Sequence, residues 1–427
     1  MNLKQTLTIS LSLVAMSCSA DSTQKVTKVE YNKEKMQQSM LEPVPFIDKA
    51  AKARPALDAS SEEIEAYVQY LYDVSVPRTP EEIAGDKAVM ARYKDAYNLD
   101  SLFIGTPAGF PAMFTPEQFD VYAGLSKKAN FDALSLTISN GSDSSIEYTY
   151  NTIQKTTEYI KKHSDKYLHI TTISDFEKAK KEGKLGIHYN FQSMNAFGDE
   201  SNFIENIRKY YELGIRQVNF TYNKDNLYGG GGVSNGDGSN DGVSELGVKA
   251  IQEMNKLGMI VDCSHSSNQT CIDASVASAK PVIMSHSNVG TLMPIDRNVS
   301  DQAMRAIAST GGVICTNFIG GFLNKHAMAR PTDIAKHVQY VRDLVGVEAT
   351  CAGSDYVYNL NDLNKWILAN PDQFPPEMGY ASPSQLGLPS EIWGVVRVLE
   401  DRYNWTEEEV RMFLGDNLLR VYAANWK

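Results

Sequence analysis

From about residue 98 the chain alternates between short, nearly all-apolar runs and longer amphipathic stretches. Eight such runs stand out, at 98–104, 133–139, 185–191, 217–222, 259–263, 282–285, 312–317 and 349–353. A run that is apolar throughout, without polar alternation, is the mark of a strand covered on both faces. Between the runs lie segments with helical spacing, such as 203–213, 243–257 and 334–344. Strand and helix alternating eight times predict a closed parallel (β/α)8 barrel of the TIM type. An open, doubly wound sheet is the alternative, although it usually has fewer strands. The connection from 139 to 184 is long enough for an extra helix.

Ahead of the barrel, residues 46–97 predict a helical N-terminal extension. Ser60 or Ser61 caps one helix ahead of Glu62 and Glu63, and Thr79-Pro80-Glu81-Glu82 opens another with proline in the first turn. Residues 19–45 are polar and suit a tether. Residues 1–18 have the layout of a lipoprotein-type signal peptide. Lys4 precedes an apolar stretch from Leu7 to Met16, too short to span a bilayer, and Ala15-Met16-Ser17-Cys18 resembles a bacterial lipobox. The expectation is export, with lipidation at Cys18 and a periplasmic or outer-membrane location. Ordinary cleavage near Ala20, leaving a soluble exported protein, is the alternative.

Composition narrows the partners. With 427 residues and 42% hydrophobic side chains the core can be large. A net charge of −11, with no basic patch, argues against nucleic acid and against anionic lipid surfaces. A membrane enters only through a lipid at Cys18, and a homodimer stays open. Cys263, Cys271, Cys315 and Cys351 fall in or beside core elements and read as buried thiols, with a disulfide between two of them left open. No Cys-x-x-Cys pair points to a cysteine zinc site.

The polar residues able to do chemistry fall where the runs end, which in this barrel is the rim that carries active sites. Gln192 ends the third run and Tyr222-Asn223 the fourth. Asp262 and His265 end the fifth, His286 the sixth, Asn317 the seventh and Asp355 the eighth. His265 and His286 follow neighbouring strands, about 4.8 Å apart, so their imidazoles can share one metal ion. Asp355 can complete that site as a third ligand, or act as the acid or base that handles a proton of water. Arg297 can fork onto a substrate carboxylate, or pair with Asp301 and merely hold its loop. The glycines at 229–232, 236, 238 and 242 lack a following Gly-Lys-Ser/Thr, so a flexible lid or crossover fits better than a phosphate cradle. His163 follows a lysine-rich helix and reads as solvated. His188 lies about 13 Å down its strand from Gln192, towards the barrel bottom.

Taken together these residues resemble the membrane (renal) dipeptidase family, best over residues 184–356. The resemblance runs through Leu213-Gly214-Ile215-Arg216, Phe220-Thr221-Tyr222-Asn223, Asp262-Cys263-Ser264-His265 and Met284-Ser285-His286-Ser287. It continues through Arg297-Asn298, Gly353-Ser354-Asp355 and the closing Gly415-Asp416-Asn417. It implies a hydrolase of dipeptides that works with two bridged zinc ions. His265 and His286 would hold one ion, Asp355 would be the catalytic carboxylate and Arg297 would hold the substrate carboxylate, beside Asn223. The family's bridging glutamate is replaced by Gln192. Its His-x-Asp pair on strand one is replaced by Leu102 and Ile104, and a substrate-contacting histidine by Tyr222. Aliphatic side chains cannot ligate zinc and a neutral amide is a poor bridge between dications. The expectation is therefore zinc or another divalent metal, one ion at most, serving hydrolysis of dipeptides or similar small amides. The alternatives are a barrel that binds an amino-acid-like ligand without catalysis, and a metal-free enzyme using Tyr222 and Asp355.

Overall fold

The structure is a computed structural model that describes residues 78–109, 115–139, 145–357 and 384–426. Isolated positions at 60, 62, 63, 66, 367, 369–371, 374, 375 and 378–380 are described as well. The signal peptide at 1–18, its Cys18, the tether at 19–45 and most of the N-terminal extension up to residue 77 lie outside the described residues.

The strands are β1 (Leu99–Ile104), β2 (Ala133–Ser139), β3 (Tyr167–His169), β4 (Leu185–Phe191), β5 (Ile215–Asn219), β6 (Ile260–Asp262), β7 (Ile283–Ser287), β8 (Val313–Asn317) and β9 (Thr350–Gly353). Eight of them pair side by side in the order β1-β2-β4-β5-β6-β7-β8-β9, all parallel. Just past β9 the sheet returns to β1. The Asp355 amide donates to the Leu102 carbonyl (3.2 Å), and Tyr356 forms a parallel bridge with Phe103. The sheet is thus a nearly closed barrel of the (β/α)8 type rather than an open doubly wound one.

The long connection after β2 holds two helices, Ile146–Lys162 and Ile173–Lys181, with β3 between them. β3 pairs with the start of β4, whose pairing with β5 begins only at Tyr189. This short strand went unseen in the pattern because three residues are too few to show a period. The predicted helices at 203–213, 243–257 and 334–344 correspond to Phe203–Glu212, Glu245–Leu257 and Pro331–Val345. The start at Thr79 is a reciprocal cap: its hydroxyl accepts from the Glu82 amide and the Glu82 carboxylate accepts from the Thr79 amide. That helix, Pro80–Arg92, docks on Glu391–Tyr403, where Asp86 meets Arg397 (2.8 Å) and Arg78, and Tyr93 donates to Glu400 (2.6 Å).

The barrel floor is apolar. Leu99, Ala133, Ile260, Ile283 and Val313, at or near the starts of five strands, cluster with Leu418, Val421 and Tyr422 of the last helix, Asn417–Asn425, and with Trp426. Cys315 and Cys351, register partners on β8 and β9, are joined by a disulfide in the same cluster. Two of the four expected thiols are therefore paired, while Cys263 and Cys271 stay free and buried. Above the floor the lumen turns polar. Thr137, Asn190, Ser135, Gln217 and Asp262 form a continuous hydrogen-bonded chain across β2, β4, β5 and β6. Ser101 reaches across to the Ser285 carbonyl and to Ala352 (3.0 Å). A Cβ on Gly353 would lie 1.9 Å from the Ser285 carbonyl oxygen, so only glycine lets β9 approach β7 this closely.

His188 sits at the floor, ringed by Phe176, Tyr422 and Trp426 at centroid distances of 6.1, 5.1 and 5.4 Å. Burial pushes it down to about 3, and its Nδ1 has no partner. Folding keeps this ring neutral, whereas the unfolded chain takes up a proton below about pH 6.5. Its contribution is therefore full above about pH 6.5 and is lost as the pH falls towards the folded value. We predict that His188→Leu reduces the stability lost between pH 7.5 and pH 5 by about 2 kcal/mol. Urea unfolding at the two pH values, followed by tryptophan fluorescence, measures this; an unchanged difference contradicts it.

Candidate active site at the C-terminal rim

Three residues with chemical potential each follow a serine: Ser264-His265, Ser285-His286 and Ser354-Asp355. Two buried aspartates hold those serines. Asp262, the last residue of β6, accepts through Oδ1 from the Ser264 amide (3.0 Å) and the Ser285 amide (3.1 Å), and through Oδ2 from Gln217 (2.9 Å). Asp100 in β1 accepts from the Ser354 amide (2.8 Å), the Ser354 hydroxyl and the Leu102 amide (3.2 Å). Burial raises both carboxyls, Asp100 to about 6, and the hydrogen bonds oppose that rise. Multiple amide donors to one carboxylate make a rigid anchor, so the two histidines and Asp355 inherit fixed backbones.

The two imidazoles face each other with Nε2 atoms 2.8 Å apart and are both buried. His265 is oriented from its far side by Asn223, whose Oδ1 lies 2.7 Å from Nδ1. His286 Nδ1 lies 2.7 Å from the Ser285 hydroxyl. An amide oxygen can only accept, so His265 carries its proton on Nδ1 and turns a lone pair from Nε2 towards His286. Burial first, and the Arg297 charge next, hold both rings well below the usual histidine range. His286 is then the donor of this pair, with its proton on Nε2 and its Nδ1 accepting from the Ser285 hydroxyl; both rings are neutral and fixed through their outer nitrogens, and a divalent cation held here would displace the shared Nε2 proton.

Asp355 lies two residues beyond β9. Its Oδ2 accepts from Asn317 at the end of β8 (2.8 Å). Burial lifts its carboxyl to about 7, opposed by Arg297 and Asn317 and assisted by Asp100. Among the described residues no group of three His, Cys, Asp or Glu side chains is gathered closely enough to hold a metal. Asp355 is thus on the same rim as the imidazole pair without being gathered with it into a three-residue group. Arg297, only 3% exposed, donates to the His286 carbonyl (2.8 Å) and the Ser287 hydroxyl (3.3 Å). It does not pair with Asp301, which accepts from Thr291 and Tyr340 instead.

Tyr222 and Asn223 lie in the loop after β5, which ends three residues earlier than the apolar run suggested. The Tyr222 ring stacks on His265 with centroids 4.2 Å apart. Asn223, His265 and Asp355 all have φ between +51° and +68°, an uncommon backbone for residues with side chains. Such strain is tolerated where a site over-determines it. Gln192, past the end of β4, is buried and its amide donates to Thr137 (3.3 Å). Leu102 and Ile104 occupy β1 on the same rim, Leu102 fully buried. His265 and His286 are side chains of the kind that ligate a divalent cation, whereas the β1 and β4 side offers two aliphatic groups and a neutral amide, which are not.

The glycine-rich segment is a packed brace and not a flexible lid. Gly229–Gly232 are buried and lead into a short helix, Val233–Asp237. The Gly232 amide donates to the His265 carbonyl (2.8 Å), the Val233 amide to the Asn223 carbonyl (2.9 Å), and Asn235 to the Asp296 carbonyl beside Arg297 (3.1 Å). A Cβ on Gly236 would overlap the Asp296 carboxylate. Close backbone approach explains Gly230 and Gly231, and a left-handed helix cap at φ +85° explains Gly238. His188 lies on the floor and His163 stacks on Tyr159 at the end of an outer helix, so neither reaches the rim. Residues whose part the chain pattern did not single out are Asp100 and Tyr380. The tyrosine hydroxyl accepts from Asn223 (3.4 Å). For Asp100 a signal existed: an acid inside an apolar run.

The family model of the membrane dipeptidases, peptidase family M19, matches residues 94–366, more than half of the chain. An uncharacterised dipeptidase of Schizosaccharomyces pombe is 34% identical over 219 residues, which make up 51% of this chain and 48% of that relative. The chain therefore matches about half the length of this curated relative. Among solved structures, an amidohydrolase from Pseudomonas aeruginosa superposes with a TM-score of 0.68 at 27% identity, covering 80% of this chain and 99% of that one. A metallo peptidase from Rhodobacter sphaeroides, solved with a phosphinate mimic of the dipeptide L-Ala-D-Ala, superposes at 0.60 and 14% identity, covering 78% and 99%. At that identity the likeness shows the fold alone. The chain belongs to the membrane dipeptidase family, peptidase family M19.

Proposed function

We propose that the chain hydrolyses dipeptides or similar small amides bearing a free carboxylate, using one divalent ion, zinc by family, held between His265 and His286. Membership of a metallopeptidase family implies a divalent metal. The observation that carries the single-ion reading is the facing pair of neutral imidazoles, with Arg297 and Asp355 on the same rim. When bound, such an ion supplies Lewis acidity that makes water nucleophilic near neutral pH.

The chain's own residues do the rest. Arg297, charged and buried, holds the substrate carboxylate and sets the position of the scissile amide. Asp355, half ionised near neutral pH, takes the proton of the attacking water as the new C–O bond forms. It passes that proton to the departing amine nitrogen as the C–N bond breaks. Asn317 fixes one carboxylate oxygen and leaves the other for that transfer. Tyr222 covers the open face of His265 and keeps bulk water from it. The competing reading is a barrel that binds an amino-acid-like ligand without turnover; the observation favouring it is the neutral β1 and β4 side formed by Leu102, Ile104 and Gln192.

A dipeptide panel assayed with and without chelator separates the two readings. The hydrolase reading expects chelator-sensitive cleavage; ligand-induced stabilisation without any cleavage favours the binder. Activity should rise with pH through about 7, because the base must be ionised and Asp355 titrates there. Asp355→Asn should lower kcat by roughly two to four orders of magnitude with little change in KM, and should lose that rising limb. An unchanged pH profile in the variant removes Asp355 from the proton path.

We further propose that the chain is exported and anchored through a lipid on Cys18. The apolar stretch ending in Ala15-Met16-Ser17-Cys18 supports this. The Cys315–Cys351 disulfide also suits an oxidising compartment. Labelled palmitate should enter the full-length chain and not Cys18→Ser, which should leave the membrane fraction. Equal labelling of both contradicts the anchor.

A further inference from the structure

Four aromatic rings form an arc across the site. Tyr222, stacked on His265, meets Phe374 edge-on (6.0 Å), Phe374 meets Tyr380 (5.0 Å), and Tyr380 meets Phe322 (5.4 Å). The arc ends where the Arg297 guanidinium lies over Phe322 at 5.4 Å. Phe374 and Tyr380 come from a segment beyond the last barrel strand. Gly379, at φ +87°, lets that segment settle against Phe322, where a Cβ would lie 3.1 Å from its ring and 2.6 Å from Ile295.

The hydrogen bonds at Tyr380 have a definite direction. Asn223 uses its oxygen on His265, so its amide nitrogen faces the Tyr380 oxygen as donor. The Arg297 guanidinium that acts on Tyr380 can also only donate. With donors on both sides, the Tyr380 O–H proton is committed to neither. Arg297 likewise keeps a buried Nε–H without a partner, while its other two nitrogens are used on His286 and Ser287. Two uncommitted donors from neighbouring groups, in a dry site, suit one anion.

We propose that Tyr380 is a second anchor for the substrate carboxylate beside Arg297, and that the arc of Phe322, Phe374 and Tyr380 receives the side chain of the residue bearing that carboxylate. The inference rests on the hydrolase reading for its substrate and names the class: dipeptides whose carboxyl-terminal residue is apolar or aromatic. Among the described residues the arc itself carries no charged side chain, and the Arg297 cation at its end is engaged by the α-carboxylate, so an aspartyl or lysyl side chain laid on the rings would lose hydration without compensation.

Wild type, Tyr380→Phe and Phe374→Ala are compared on alanyl-phenylalanine, alanyl-alanine, alanyl-aspartate and the C-terminal amide of the first. Wild type should prefer phenylalanine over alanine over aspartate. Tyr380→Phe keeps the ring and loses the hydroxyl. It should raise KM for free-carboxylate dipeptides roughly tenfold, with kcat within about twofold, and leave the amide unaffected. Phe374→Ala should compress the preference for phenylalanine over alanine. Equal losses on acid and amide, or a preference for aspartate, overturn the proposal. Calorimetry with L-phenylalanine and L-phenylalaninamide repeats the comparison without turnover. An inactive wild type that still binds the acid more tightly than the amide, with that difference reduced in Tyr380→Phe, counts against the hydrolase reading alone. Failure to discriminate acid from amide in wild type overturns the anchor.

Discussion

The site depends first on a carboxylate that never meets the substrate. Asp262 sits at the end of β6 and gathers the amides of Ser264 and Ser285, the residues just before the two histidines. β6 and β7 share a single register pair at this point, Asp262 with Ile283, so the carboxylate reinforces a sparse junction of the barrel. Asp100 does the same for Ser354 and Asp355 across the seam where β9 returns to β1. An unpaired buried carboxylate is costly, and several amide donors offset that cost only if the loops keep one geometry. Stability of the barrel and alignment of the rim are thus coupled through two aspartates.

That coupling explains how one half of the site keeps its form while the other half differs. His265 and His286 depend on Asp262, Asn223 and Ser285, all of them on β5, β6 and β7 or the adjoining loops. Leu102 and Ile104 stand on β1 and Gln192 just past β4, where Asp100 holds the turn at Ser354. Arg297 contributes from a third direction. Its charge helps to keep the imidazoles neutral and opposes the rise of the Asp355 carboxyl, so one guanidinium tunes three groups.

Much of this was legible in the chain. Eight apolar runs marked the eight barrel strands because a strand buried on both faces leaves no polar alternation. His265, His286 and Asp355 fell at strand ends, with Arg297 in the loop that follows His286, because the rim is where such a barrel presents side chains. Other features depend on tertiary packing that no local pattern carries. β3 is too short to show a period. The glycine-rich segment looked like a lid, yet its glycines answer to Asp296 and Asn223, far away in the chain or reached only through the fold. The pairing of Cys315 with Cys351 follows from strand register. Tyr380 belongs to a segment without apolar periodicity and meets Asn223 and Arg297 only because the fold brings three distant stretches together.

The central claim is that this rim holds the two-histidine half of its family's metal site and not the other half. Elemental analysis of protein purified without chelator tests it most directly, with wild type measured beside Leu102→His, Ile104→Asp, Gln192→Glu. The account predicts one divalent ion per chain in wild type and a second ion in the triple variant. Two ions per chain in wild type, or none even after soaking with zinc, would contradict it.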